Sequence, residues 1–209
     1  MARDRDRRRR PVNTRMSDSA SICLRRSPFV FYATRDGHSR TVAARIAERL
    51  AASGLRASVG DLAEATPSPD ELAGAPLVLL VAAVRYGRHL PETRRFLAIY
   101  GKLSAPPPLA LASVNLTARK PGKSSAETNP YLRKLIAGSP VRPALATAIA
   151  GRLDYRSYRW WDRQIIRLIM WLTGGPTDPN TCVVYTSWSA VDEFASRLAE
   201  LASHAGCGR

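Results

Sequence analysis

Residues 29–41 read Phe-Val-Phe-Tyr-Ala-Thr-Arg-Asp-Gly-His-Ser-Arg-Thr. The β-favouring start Phe29–Tyr32 predicts a strand, and Arg35-Asp-Gly-His38 predicts a turn. Val42, Ile46 and Leu50 then recur at four-residue steps, which predicts an amphipathic helix that Gly54 stops. A strand entering a helix through so short a turn gathers unpaired backbone N–H groups at the positive end of the helix dipole, a ready anion site. Thr34, Ser39 and Thr41 add hydroxyl donors and His38 a ring nitrogen, while Gly37 permits close backbone approach. No G-x-G-x-x-G and no G-x-x-x-x-G-K-Ser/Thr is present, so the dinucleotide and P-loop fingerprints are missing. Asp36 alone does not make the acidic cluster of a receiver domain. The turn reads as a phosphate cradle.

Outward from this turn, Leu55–Gly60 predicts a short second strand. Pro76–Val84 is a continuous apolar run, the pattern of a strand buried on both faces of a parallel sheet. Pro91 to Lys102 predicts a helix with proline in its first turn. Pro108–Val114 and Ala144–Ala150 predict two further strands, with a helical stretch Tyr131–Ala137 between them. Val191, Phe194, Ala195, Leu198 and Leu201 mark a closing amphipathic helix. Strands alternating with helices imply an α/β, doubly wound parallel sheet of five strands. With a ligand turn after the first strand, the expected order is the flavodoxin-like 2-1-3-4-5, where ligands sit outside the strands' carboxyl ends. The domain is expected over residues 28–205, with residues 152–180 as a basic insertion near the last strand.

Two more strand exits fall on the same rim. Ala82–Gly87 ends in Val84, Arg85, Tyr86 and Gly87; Tyr86 is able to stack on a flat ring, and Arg85 brings positive charge beside it. Ser113, Val114 and Asn115 end the next strand, and their backbone amides and the Asn115 amide suit a flavin's pyrimidine edge. Phosphate turn and ring loops together point to FMN.

The insertion carries Tyr155-Arg-Ser-Tyr-Arg-Trp-Trp-Asp-Arg-Gln-Ile-Ile-Arg-Leu-Ile-Met-Trp-Leu172. On a helix Trp161, Ile165, Leu168 and Leu172 share one face, and Arg159, Arg163 and Arg167 line the opposite one. Trp160 and Trp171 flank that basic stripe. This is the composition of a helix lying in a membrane interface, arginines toward anionic headgroups, and it is too short to span. His38, His89 and His204 have no metal-ligand spacing, so no metal is expected, and His89 and His204 read as surface residues.

The net charge of +15 is unevenly placed. Residues 1–27 carry nine arginines against Asp4, Asp6 and Asp18, a basic head poor in hydrophobes that is expected to be disordered. It lacks the apolar stretch of a signal peptide. The three cysteines, Cys23, Cys182 and Cys207, are too few and too scattered for a disulfide framework or a zinc site, which suits a reducing compartment.

Thr34-Arg-Asp-Gly37, Arg85-Tyr-Gly87, Ser113-Val-Asn-Leu-Thr-Ala-Arg-Lys-Pro121, Tyr158-Arg-Trp-Trp-Asp-Arg163 and Gly174-Gly-Pro-Thr-Asp178 together resemble the menaquinone-dependent protoporphyrinogen IX dehydrogenases. The likeness covers about residues 28–203 in the family's order of motifs. It implies a flavodoxin-like FMN enzyme of haem biosynthesis that oxidises protoporphyrinogen IX by six electrons and passes them to menaquinone or another respiratory quinone. It also implies peripheral attachment to the cytoplasmic face of the inner membrane, an anionic surface. By matching position Thr34, Arg35, Asp36, Gly37 and His38 carry over as the phosphate turn. Residues from Ser113 through the insertion, Asp178 included, carry over as ring-side loops. His38 stands where glutamine is familiar. Arg85, Arg119 and Lys120 are the expected partners of the substrate's propionates, and no residue is assigned as general base. The rival readings are a generic flavodoxin-like quinone reductase or electron-transfer flavoprotein, and a nucleic-acid-binding module on the same scaffold. No nucleic acid is expected.

Overall fold

In the computed structural model, residues 27–155, 160–172, 176, 178 and 181–207 are described. The sheet's centre is β3 (Val78–Arg85), paired in parallel with β1 (Phe29–Ala33) on one side and β5 (Leu109–Asn115) on the other. β2 (Ser58–Asp61) extends the β1 edge and β6 (Leu145–Ala150) the β5 edge, so the parallel strands run β2-β1-β3-β5-β6. That is the expected 2-1-3-4-5 order.

The pleat divides the apolar residues between two layers. Val30, Tyr32, Leu79 and Val81 meet α1 (His38–Ala52) and α6 (Trp188–Cys207) through Val42, Ile46, Leu50, Val191 and Leu198. Phe31, Val78, Leu80 and Leu111 face the other way, onto α3 (Pro91–Tyr100) and α4 (Pro130–Ala137) through Phe96, Tyr100, Leu132 and Leu135. Arg45 and Arg49 of α1 both reach Asp192 of α6, at 2.8 and 2.5 Å. Hydrogen bonds from Arg45 and then Arg49 hold that carboxyl well below the usual carboxylate range.

Several local features were not legible from periodicity. A single helical turn, α2 (Pro69–Leu72), is closed by a Ser68–Glu71 capping box. β3 turns back through Tyr86-Gly87 into β4 (Arg88–His89), an antiparallel hairpin with Arg85 opposite Arg88. The expected insertion is built on a two-stranded ladder of its own. β7 (Arg152–Asp154) pairs antiparallel with β8 (Cys182–Val184), and α5 (Trp160–Leu172) lies between them in sequence. Tyr155 ties the base of this unit down, its amide to Thr181 O and its hydroxyl to Pro176 O at 2.8 Å. The expectations for residues 1–26, for Arg159 and for the side chains of Arg163 and Leu172 lie outside the described residues. No helix among the described residues is long and apolar enough to cross a membrane.

Candidate functional site

The carboxyl ends of β1, β3, β5 and β6 open on one rim, and a cleft there is lined by residues from all four exits. Its walls are Thr34, Arg35, Asp36, His38 and Ser39 after β1, and Ala83, Val84, Arg85, Tyr86 and Gly87 at the end of β3. After β5 come Val114, Asn115, Leu116, Thr117, Arg119 and Lys120; after β6 come Gly151 and Arg152. Leu90 and Tyr131 complete the α3–α4 side. Ile166 and Met170 of α5 also line the cleft, whose volume is about 200 Å³.

The turn at α1 fits a phosphate. Gly37 is the residue before the helix, left-handed at φ 74°, and no side chain caps the helix start. Beyond its chain neighbours, no atom of the described residues lies within 4 Å of where a Cβ on Gly37 would sit. The Ser39 hydroxyl is almost fully buried yet has no hydrogen-bond partner among the described residues. A buried hydroxyl normally finds a partner, and one left orphaned beside uncapped amides at a helix start suits an anion's oxygen. Arg152 donates to the Asp36 carbonyl at 3.1 Å, setting a second cation against the turn that sequence reading placed only within the insertion.

His38 is held from behind. Thr186 Oγ1 donates to the Ala150 carbonyl at 2.6 Å, so its lone pair accepts from His38 Nε2–H at 2.7 Å. The neutral ring therefore carries its proton on Nε2. Burial, and then the nearby Arg152, pushes His38 below its ordinary value.

Tyr86 and Gly87 both have positive φ, 49° and 73°, the geometry of a two-residue type I′ hairpin turn. Such a turn favours Asn-Gly, and a tyrosine in it is strained. Its ring is half-exposed at the cleft mouth with the Arg85 guanidinium 5.3 Å from its centre. Tyr86→Asn is expected to stabilise the flavin-free protein by about 0.5–1 kcal/mol, while weakening flavin binding about tenfold through the lost stacking surface. Thermal melts of the apo form and a flavin titration check the two halves.

Not every expected residue faces the cleft. Ser113 is fully buried beneath the rim, its hydroxyl meeting His89 Nε2 at 2.9 Å and accepting from Asn115 Nδ2 at 3.1 Å. The Asn115 side chain is also engaged internally. Its Oδ1 accepts from Ala118 N and Asn129 Nδ2, so it holds the 116–119 turn to α4 and is not available to a pyrimidine edge. Asp178 is exposed and is not among the cleft's lining residues. Arg119 and Lys120 do line it. Arg85 is paired with Asp36 at 3.0 Å, and Arg35 with Glu92 at 2.7 Å.

His89 overturns its reading as a surface residue. The β4 hairpin tucks it against β5, where burial, and then Arg94, pushes its pKa down to about 4. The sign follows directly. The folded pKa lies below the unfolded value, so this group's stabilisation is complete above about pH 6.5 and is lost as the pH falls toward 4. For a partly buried ring that amounts to about 2 kcal/mol. Urea unfolding near pH 7.5 and pH 4.5 should therefore differ by about 2 kcal/mol less in His89→Asn than in the parent protein.

On α5 the faces are apportioned differently from expectation. Met170 is buried, Ile166 and Arg167 are half-buried, and they turn toward Tyr155, Leu116 and Tyr185. Arg167 thus leaves the expected outward basic stripe because its helical neighbours Ile166 and Met170 are the packing face. Trp160, Trp161, Ile165, Leu168 and Trp171 are exposed together, the tryptophans at 58%, 70% and 70%.

Residues 29–180 match the family described as flavodoxin domain. A curated relative from Escherichia coli strain K12, protoporphyrinogen IX dehydrogenase (quinone), is 38% identical over 172 residues, 82% of this chain and 94% of the relative. A Leishmania major relative of the same name is 39% identical over 187 residues, 89% of this chain and 78% of the relative. Among solved structures, oxidised flavodoxin 1 from Bacillus cereus superposes with a TM-score of 0.51 at 13% identity, over 83% of this chain and 97% of its own. The rubredoxin oxygen:oxidoreductase of Desulfovibrio gigas superposes at 0.52 and 12% identity over 87% of this chain, which spans 38% of that longer protein. At such identities the structural likenesses speak to fold.

Proposed function

The chain belongs to the quinone-dependent protoporphyrinogen IX dehydrogenases of flavodoxin-like fold, and from that premise we propose that it holds FMN in the rim cleft and works against a membrane. It is an oxidoreductase taking protoporphyrinogen IX to protoporphyrin IX with a quinone as acceptor. The observation that carries the flavin assignment is the orphaned Ser39 hydroxyl beside the uncapped start of α1, on the same rim as Tyr86. The cofactor, once bound, supplies a two-electron acceptor and donor between substrate and quinone. Six hydrogens leave the porphyrinogen in all, and three quinones become three quinols.

The chain's own residues bind, orient and exclude water. Ser39 and the first amides of α1 take the phosphate, and Arg152 offsets its charge. Tyr86 offers a flat face at the mouth. Ile166 and Met170 line the cleft and keep water from the reacting bridge carbons. The Arg85–Asp36 pair fixes the hairpin tip to the phosphate turn.

The exposed apolar arc of α5 is proposed to enter the acyl boundary of the cytoplasmic leaflet, where porphyrinogen and menaquinone both partition. Support for the location is the arc itself, with its three tryptophans, on the helix whose opposite side lines the cleft. The assay is anaerobic: flavin-loaded protein, protoporphyrinogen IX and a menaquinone analogue, followed by porphyrin fluorescence. A rate above the spontaneous one that needs the quinone supports the reading; a rate equal to it sinks the reading.

A further inference from the structure

A second cavity of about 560 Å³ opens beside the cleft, between α3, α4 and the β4 hairpin. That volume is within the range of small-molecule sites. Gly87 and Tyr131 line both spaces, so the hairpin tip and the first turn of α4 form a shared wall. The floor is apolar, with Leu97 and Leu135 buried beneath it. Among the described residues its full charges are all of one sign: Arg88, Arg94 and Lys134 line it, and no carboxylate does. Each of the three is exposed and makes no ion pair with another described residue.

Arg85 and Arg119, two of the main cleft's cations, are differently placed. Arg85 is paired with Asp36, and Arg119 donates to the Leu116 carbonyl and lies 5.8 Å from the centre of the Tyr185 ring. Recruiting either for a carboxylate means breaking or sharing an existing contact. The second cavity offers cations that repel one another until an anion arrives, above a surface that suits a flat hydrocarbon body. A tetrapyrrole dicarboxylate has both halves of that description.

We propose that this second cavity seats the propionate edge of the substrate, with Arg94 and Lys134 as its carboxylate partners, while the reacting bridges lie across Gly87 and Tyr131 in the main cleft. The assignment rests on the porphyrinogen reading above and moves the propionate partners away from Arg85, Arg119 and Lys120. It makes the β4 hairpin, with Gly87 at its tip, the divider between the substrate's charged edge and its redox edge.

Equilibrium binding separates this inference from the reading beneath it. Flavin-loaded protein is titrated at low ionic strength with protoporphyrin IX and, separately, with its dimethyl ester. The diacid should bind about tenfold tighter than the diester. In R94Q/K134Q the diacid should weaken about tenfold while the diester is unchanged, and R94K/K134R should recover the diacid. Equal binding of diacid and diester by the parent protein overturns the proposal, as does a double variant that weakens both ligands alike or neither. Normal discrimination in a protein that shows no quinone-dependent turnover would instead fault the enzymatic reading and leave this site standing.

Discussion

Gly37→Val should abolish flavin retention and lower the stability of the protein even without flavin. Gly37 sits at φ 74°, a left-handed conformation that costs an ordinary residue about 1–2 kcal/mol and a β-branched one more. The penalty is conformational and not steric, since beyond its chain neighbours no atom of the described residues lies within 4 Å of a Cβ placed there. That empty space is where an anion at the α1 start would lie, so the added side chain also blocks the ligand. Apo-protein melting should fall by about 3–6 °C, with no visible flavin band after purification. Gly37→Ala is the graded control: a Cβ of its own, the milder backbone penalty, and a weakened but measurable flavin affinity. A Gly37→Val protein that stays yellow would mean the phosphate is held elsewhere.

The second large effect concerns α5. Replacing Trp160, Trp161 and Trp171 together with glutamine should release the protein from anionic vesicles. Each ring exposes more than half its surface. Burying even part of a tryptophan in the acyl boundary is worth about 1–2 kcal/mol, so losing three should reduce vesicle affinity at least about a hundredfold. Folding should be spared, because the helix is held by Ile166 and Met170 on its other side. Co-sedimentation with vesicles of anionic lipid measures this. Unchanged sedimentation with normal melting would assign the arc to something other than lipid.

The fold was legible because its signals are local. Phe29–Leu50 carries strand, turn and helix in one continuous pattern, and the apolar run ending at Val84 announces the central strand. The β1–α1 turn was legible for the same reason, as was the rim, since alternating strands and helices force their exits to one side. What sequence did not reveal was how side chains are committed at distance. Asn115 looks like a ligand group until Asn129, fourteen positions on, occupies its amide. His89 looks like a surface residue until a two-residue turn folds it under β5 onto Ser113. The tyrosine of Tyr86-Gly87 does not advertise a type I′ turn, because that position usually belongs to asparagine. Four-residue spacing sets Arg167 in a stripe with Arg159 and Arg163, whereas the buried neighbour Met170 decides which side packs. The second, cationic cavity is assembled from α3, α4 and β4, three segments with no shared motif.

The claim on which the rest depends is that the turn between β1 and α1 binds the phosphate of a flavin whose ring lies along the same rim. Titration of flavin-free protein with FMN and with riboflavin tests it most directly. One FMN per chain is expected, bound at least about a hundredfold tighter than riboflavin, with Ser39→Ala lowering the affinity for FMN and leaving that for riboflavin unchanged. Equal affinity for the two flavins, or no uptake of either, would contradict it.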